Sequence, residues 1–307
     1  MQQPQSYQQP EDLYQVQQAL MQWTQDAGDC NYWHKGDIRH RLFNGGYQLN
    51  PSEMLHIWRD ETGTIKAFSQ IYPNWGMLDL HVAPDVRFTE FHREVFQWSE
   101  EALIAYAERI GKPLEQFTKD SMGCDPRYDE FLRSMGYTYS EQALNLTEHD
   151  LQNIPEATLP DGFHFHDATI DDLTNLADVH NNSFTNKWTA EIYGKVFQSP
   201  YQEYEIVTVA PDGRFASFTQ VWVDDVNKTI LFEPVGTHAD FRRRGIGKAM
   251  MVYVLKRMKA EHSIERAYVC HELPDKNPAS GALYASVGFR VKYPIHDYKK
   301  VLPLLKF

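Results

Sequence analysis

The strongest constraint on this 307-residue chain is that its second half repeats its first. An offset of 155 residues lays Val86-Arg87-Phe88 on Phe241-Arg242-Arg243, and the apolar stripe Phe91, Val95, Trp98 on Ile246, Met250, Tyr253. Farther on, an offset of 152 lays Met135-Gly136-Tyr137 on Val287-Gly288-Phe289, so the copies differ by three residues between these points. A period of this length is a whole domain, since solenoid and propeller repeats run to about 20–50 residues. The order of elements recurs as well. Helical spacing of Leu13, Val16, Leu20 and Trp23 predicts a helix from Pro10 to Ala27, followed by another from Asp37 to Phe43. Strands are predicted at Met54–Arg59, Ile65–Tyr72 and Met77–Val82, then a long helix from Phe88 to Ile110, a helix around Asp129–Ser134 and strands to Leu151. The second half offers helices at Ile170–Asn181 and Ala190–Phe197, and strands at Glu205–Ala210, Phe215–Val223 and Thr229–Gly236. A long helix from Gly245 to His262, a strand at Glu265–Cys270, a helix at Ala279–Val287 and a strand from Phe289 complete it. The reading is an α/β (α+β) chain of two tandem copies.

Residues 1–10 are rich in Gln and Pro and have little to bury, which predicts a disordered leader. The polar stretch Gln152–Gly162, with Pro155 and Pro160, predicts a linker between domains at 11–151 and 163–307. Thirty basic against 42 acidic residues give a net charge of −12, which argues against nucleic acid or an anionic membrane as partner. The longest apolar run, Ala249–Leu255, is far short of the roughly 18 residues a membrane span needs. The first ten residues have neither the basic nor the apolar region of a secretory signal. Cys30, Cys124 and Cys270 are odd in number, widely spaced and without a C-x-x-C. They predict reduced thiols in a cytoplasmic protein and neither a disulfide framework nor a zinc site.

The segment Val235–Lys248 joins a strand to a helix and concentrates charge where a helix least tolerates it. Arg242, Arg243, Arg244 and Lys248 crowd the helix N-terminus, which already carries about half a positive charge. Gly245 and Gly247 in the first turn each cost about 1 kcal/mol against Ala. A phosphate resolves both features, because glycines open the free N–H groups to it and the arginines neutralise it. A P-loop is excluded by Arg242 and Ala249 at its glycine and Ser/Thr positions, and a dinucleotide fingerprint by Met250 at its third glycine.

What remains is R-x-x-G-x-G, and here the sequence resembles the GNAT N-acetyltransferase superfamily. Strand, Arg242–Gly247, long helix and strand are followed by Asn277-Pro-Ala-Ser-Gly-Ala-Leu-Tyr284-Ala-Ser-Val-Gly-Phe289. That block is similar to the family's N-x-x-[AS]-x-x-L-Y-x-x-x-G-F signature. One departure is Ala239, where many members have Pro. The two-copy plan resembles the tandem, mycothiol synthase-like members. The resemblance implies two domains, each a mixed, mostly antiparallel sheet flanked by helices. It implies acetyl-CoA as cosubstrate, cradled by Arg242, Arg243, Arg244, Gly245, Ile246, Gly247 and Lys248, with Val235, Gly236 and Thr237 along its pantetheine arm and Asn277 and Tyr284 at the acetyl-sulfur end.

Acetyl transfer to an amine needs a neutral amine and a protonated or hydrogen-bonded leaving thiolate. Tyr284 matches the family's acid by position, with a core aromatic as the competing reading. Glu233 is the expected base, against a solvated or ion-paired glutamate. It lies four residues before Thr237, so alternation puts both on one face unless a bulge intervenes. His238 and His271 are alternative bases, Cys270 is a weaker candidate nucleophile, and His164-x-His166 lacks the third ligand a metal site needs. In the first half the glycine positions 245 and 247 become Glu90 and His92, and Asn277 and Tyr284 become Asp125 and Leu132. The first copy therefore reads as a degenerate domain without the cofactor motif. The expected reaction is acetylation of a small-molecule amine by direct transfer. The competing readings are acetylation of a protein or peptide amine and a non-catalytic acyl-CoA-binding module.

Overall fold

Short apolar runs broken by Gly- and Pro-containing turns become strands, and three long stretches, Pro10–Ala27, Glu90–Arg109 and Ile246–His262, become helices. The computed structural model describes residues 3–45, 49–185, 187–200 and 203–302. The first copy contains β1 (Gln5–Ser6), α1 (Pro10–Ala27), α2 (Lys35–His40), α3 (Pro51–Met54), β2 (Leu55–Arg59), β3 (Ile65–Tyr72) and β4 (Met77–Val82). It continues with α4 (Glu90–Arg109), β5 (Gln116–Met122), α5 (Pro126–Ser134) and β6 (Thr138–His149). The second contains β7 (His164–Asp167), α6 (Leu173–Ser183), α7 (Ala190–Gln198), β8 (Tyr204–Val209), β9 (Phe215–Asp224) and β10 (Thr229–Thr237). It ends with α8 (Ile246–His262), β11 (Arg266–Glu272), α9 (Pro278–Val287) and β12 (Arg290–Val301).

The repeat is visible in the backbone itself. Single 3₁₀ turns at Pro84–Val86 and Ala239–Phe241 precede α4 and α8 at the same 155-residue offset. At that offset Phe88 and Arg243 both take left-handed φ values, 63° and 65°, which bulky L residues rarely adopt. In each copy three antiparallel strands lead into one parallel neighbour: β2-β3-β4 beside β5, and β8-β9-β10 beside β11. The second core packs Val221, Ile230 and Phe232 of the sheet against Met251, Leu255 and Met258 of α8 and Val287 of α9.

Two compact units result, but they do not divide at the expected linker. One comprises residues 1–144 with 293–307, the other residues 145–292. The first unit takes its strand beside β5 from the chain's far end, with Ile295 opposite Met122 and Val301 opposite Gln116. The second takes residues 145–149 of β6 beside β11, where the Thr147 hydroxyl donates to the Val269 carbonyl at 2.7 Å. The stretch read as a linker packs on the second unit through Ile154, Ala157 and Leu159, next to the buried Leu151. Its Pro residues and polarity are compatible with that, because few of its side chains turn inward.

Two further expectations fail. The leader is not disordered in its described part: Gln5 and Ser6 pair with Ile57 and His56, and the Tyr7 N–H donates to the Leu55 carbonyl at 2.9 Å. A sheet edge supplies backbone partners that composition cannot reveal. Met1 and Gln2 of that leader, and residues 303–307 of the expected second domain, lie outside the described residues. The thiols are also not all reduced. Cys30 and Cys124 form a disulfide across 94 residues of sequence, which removes the cysteine argument for a reducing compartment. Spacing along the chain gave no sign of it, because the loop after α1 and the end of β5 meet only in the folded unit, where Asn31 accepts the Met122 N–H. Cys270 is outside any disulfide. Among the described residues no helix is long and apolar enough to cross a membrane.

A fragment of residues 163–307 should not fold stably. It lacks residues 145–149 at one edge of its sheet and leaves residues 293–301 without β5, so an apolar strand edge is exposed. Circular dichroism and thermal unfolding of the fragment check this; a cooperative transition like that of the full chain would refute it.

Candidate active site

The parallel pairing of β10 with β11 runs only from Thr229–Arg266 to Leu231–Tyr268, yet β10 continues to Thr237 and β11 to Glu272. The strands part where β10 carries a register shift between Phe232 and Val235, so that Glu233 and Pro234 together face the single Gln220 of β9. A bulge bends the strand that contains it, and Pro234 has no N–H to offer β11. The parted ends open a cavity of about 850 Å³. It is lined by the end of β10 (Val235, Gly236, Thr237), the loop into α8 (Arg242, Arg243, Gly245, Ile246, Gly247, Lys248) and α9 from Asn277 to Tyr284.

The loop is built to leave donors unused. Gly245 caps α8 at φ 77°, and no side chain caps that helix start. The N–H groups of Gly245, Ile246, Gly247 and Lys248 have no acceptor among the described residues. Gly247 is needed for closeness, since a Cβ there would lie 3.0 Å from the Thr237 hydroxyl and 3.5 Å from Leu283. Arg243 and Lys248 face the cavity without an ion pair among the described residues. Arg242 is committed otherwise. Its guanidinium donates to the carbonyls of Thr237 (3.2 Å), Asn182 (3.3 Å) and Ser183 (3.0 Å), the last two at the end of α6. Arg244 lies behind the loop, 5.4 Å over the Phe241 ring, in a separate hollow with Arg214.

On the far wall, Asn277 caps α9 by accepting the Ser280 N–H at 3.4 Å. Tyr284 is only 6 % exposed, and its hydroxyl has no hydrogen-bond partner among the described residues. A buried tyrosine normally finds one. Burial, and then the neighbouring Glu233 carboxylate and Cys270, hold its hydroxyl well above the ordinary phenol range, so it stays protonated. Glu233 does not follow strand alternation with Thr237, because the bulge intervenes. Its carboxylate nevertheless acts on Tyr284, and its carbonyl accepts the Trp222 indole N–H at 3.1 Å. His238 is buried beneath the loop, accepts the Asp240 N–H at 3.1 Å and has Asp178 within 3.5 Å, the environment of a turn-capping residue. His271 packs on Gly281, where a Cβ would come within 3.0 Å of its ring, and its Nδ1 lies 2.6 Å from the Glu272 carbonyl. His166 pairs with Asp172 at 3.0 Å.

The corresponding places in the first unit are filled by its own side chains. The His92 ring stacks on Phe131 at 4.1 Å and accepts the Phe88 N–H at 3.1 Å, using a donor of the loop. Arg87, the counterpart of Arg242, is ion-paired to Asp125 at 3.1 Å. β4 and β5 pair only at Met77–Thr118, and beyond that point Lys119 reaches Asp79 at 3.8 Å with both nearly sealed from water. Arg41 holds the other Asp79 oxygen at 2.7 Å, and burial in this cluster raises the Asp37 carboxyl to about 6. No periodicity in the sequence signalled this buried cluster.

Comparison with known proteins decides the class of the second unit. Residues 173–289 match the acetyltransferase (GNAT) family. This segment belongs to that family. An acyltransferase domain therefore occupies the second unit, and the open loop and parted strands are features of that domain. No curated protein sequence matches the chain. Solved structures extend the likeness in fold to the whole length. A tandem GNAT protein from the clavulanic acid biosynthesis pathway superposes with a TM-score of 0.67 over 97 % of both chains, at 14 % identity. A GCN5-related N-acetyltransferase from Sphaerobacter thermophilus gives 0.61 at 14 % identity, covering 97 % of this chain and 95 % of its own. A GNAT-family acetyltransferase from Colwellia psychrerythraea gives 0.61 at 13 % identity, covering 97 % and 99 %.

Gly236 tests the packing behind the cavity. A Cβ there would run into the Phe218 ring and lie 2.8 Å from the Ser183 hydroxyl. Gly236→Ala should therefore destabilise the protein by about 1–3 kcal/mol through overpacking. Chemical denaturation should show a lowered midpoint; an unchanged midpoint would mean that the end of α6 yields freely.

Proposed function

We propose that the protein transfers an acetyl group from acetyl-CoA directly to the amine of a small molecule. The observation that carries this reading is the Tyr284 hydroxyl: buried, protonated, without a hydrogen-bond partner among the described residues, and lining the same cavity as the uncapped N–H groups of Gly245 to Lys248. A thioester of a phosphate-bearing carrier needs both ends. The pyrophosphate would take the loop donors and the charges of Arg243 and Lys248. The pantetheine arm would lie along Val235 to Thr237, which β11 has left unpaired, and the thioester would reach Asn277 and Tyr284. Arg244 would act on the phosphates only at a distance, and Arg242 by shaping the loop.

The chemistry asks for stabilisation of the departing thiolate and for removal of a proton from the amine. Tyr284 suits the first as a hydrogen-bond donor that stays intact, and the thiolate finally takes up the proton that the amine releases. Glu233 is the proposed base for the second, directly or through a water; it does not itself line the cavity, but its charge bears on the Tyr284 hydroxyl. The net charge of −12 favours a cationic acceptor. In the first unit His92, the Arg87–Asp125 pair and the Asp79–Lys119 pair already occupy the equivalent places, which supports its reading as a degenerate copy.

Calorimetric titration with acetyl-CoA should therefore give one site per chain, with affinity falling as salt rises because the loop acts through charge. Two comparable sites would defeat the degenerate-copy reading, and no binding would defeat the cofactor reading. CoA release measured across panels of small amines and of peptides identifies the acceptor class, and a peptide-only response would replace the small-molecule assignment.

Tyr284→Phe keeps the ring and removes the donor. Turnover should fall by about 10²–10⁴ with little change in acetyl-CoA affinity, because the hydroxyl acts as charge develops on sulfur. The wild-type rate should show no loss from tyrosine ionisation near pH 10, since burial raises this hydroxyl above the usual value. Wild-type turnover in the Phe variant, with chemistry rate-limiting, would leave Tyr284 a core aromatic.

A further inference from the structure

The three arginines at the loop are alike in sequence and different in what they hold. Arg242 and Arg243 both line the cavity and Arg244 faces away, but only Arg242 spans two elements. Its Nε donates to the carbonyl of Thr237, the last residue of β10, and its Nη2 donates to the carbonyls of Asn182 and Ser183, the last residues of α6. The last carbonyls of a helix lack partners within it and sit at the negative end of its dipole, so a guanidinium is a natural donor to them. A second, independent feature joins the same elements. Gly236 lacks the Cβ that would strike Phe218 and crowd the Ser183 hydroxyl, so the α6 end can approach the strand. Ser183 and Phe184 then line the same cavity as the loop.

Resting on the acetyl-CoA reading, we propose that Arg242 is a positioning residue that transmits cofactor occupancy of the loop to the α6 end and Phe184, which line the same cavity. Ordering the loop around a pyrophosphate fixes the Arg242 backbone. A fixed guanidinium then holds the Asn182 and Ser183 carbonyls, and with them the position of Phe184. Lysine cannot replace it, since one ammonium on a flexible stem does not reproduce a planar fork reaching both elements. In the first unit the equivalent Arg87 is spent on Asp125, so this link is peculiar to the second unit.

The test compares the full-length wild type with Arg242→Lys and Arg243→Lys, using acetyl-CoA as probe. Arg242 is exposed, so its Lys variant should fold, and a thermal melt verifies this. Calorimetry should show Arg242→Lys binding acetyl-CoA within about threefold of wild type. Arg243→Lys should be weakened more, because it loses donors facing the cavity. Hydrogen–deuterium exchange gives the decisive readout. In the wild type, acetyl-CoA should slow exchange both in residues 242–248 and in residues 179–185. In Arg242→Lys the first protection should persist and the second should vanish. Equal protection of residues 179–185 in wild type and variant, or none in wild type, overturns the coupling. So does a loss of affinity in Arg242→Lys as large as in Arg243→Lys, which would make Arg242 a phosphate ligand. Failure of the wild type to bind acetyl-CoA overturns the cofactor reading and the coupling together, and is distinguished from the other outcomes by calorimetry alone.

Discussion

Hydrogen bonding between β10 and β11 ends at Leu231–Tyr268, and the geometry of the second unit's cavity follows from that ending. Two parallel strands that stayed paired would bury their backbone groups in one another and leave no opening. The Glu233–Pro234 bulge breaks the register and removes an N–H, so the last residues of β10 keep their backbone groups for something else. The parted ends also separate the loop into α8 from the start of α9, which is how Gly245 and Tyr284 come to line one space from opposite sides. Glycine is needed on both flanks of that space: Gly236 for the approach of α6, Gly247 for the approach of α8 to Thr237 and Leu283.

The same parting occurs in the first unit, where the protein's own side chains fill it. There a buried ion pair, a stacked imidazole and an arginine–aspartate pair take the space and the donors. Burying Lys119, Asp79 and Arg41 carries a desolvation cost, and removing Asp79 would leave two cations there without their shared carboxylate. The two units differ in whether side chains among the described residues take up the polar groups at the parting.

Much of this was legible in the sequence, and for a physical reason. Helix and strand periodicities report burial on one face, so α1, β3, β4 and α7 to α9 were bounded to within a residue or two. Glycines before a helix with clustered cations report an anion, so the loop stood out. Contacts between residues distant in sequence leave no periodic trace. The Cys30–Cys124 disulfide, the edge pairing of Gln5 and Ser6 and the Asp79–Lys119 cluster are all of that kind. Three adjacent arginines could not be told apart either, because their directions depend on φ at Arg243 and on where α6 ends. The bulge at Glu233 was foreseeable only as the exception to alternation that a proline invites.

Each unit closes its sheet with residues drawn from the other copy's span of sequence: 293–301 beside β5, and 145–149 beside β11. A chain duplicated in this manner has bound the inheritance of its two halves together. Removing either copy's span would take a strand from the other unit's sheet, so neither span can be cut away without opening the sheet that remains.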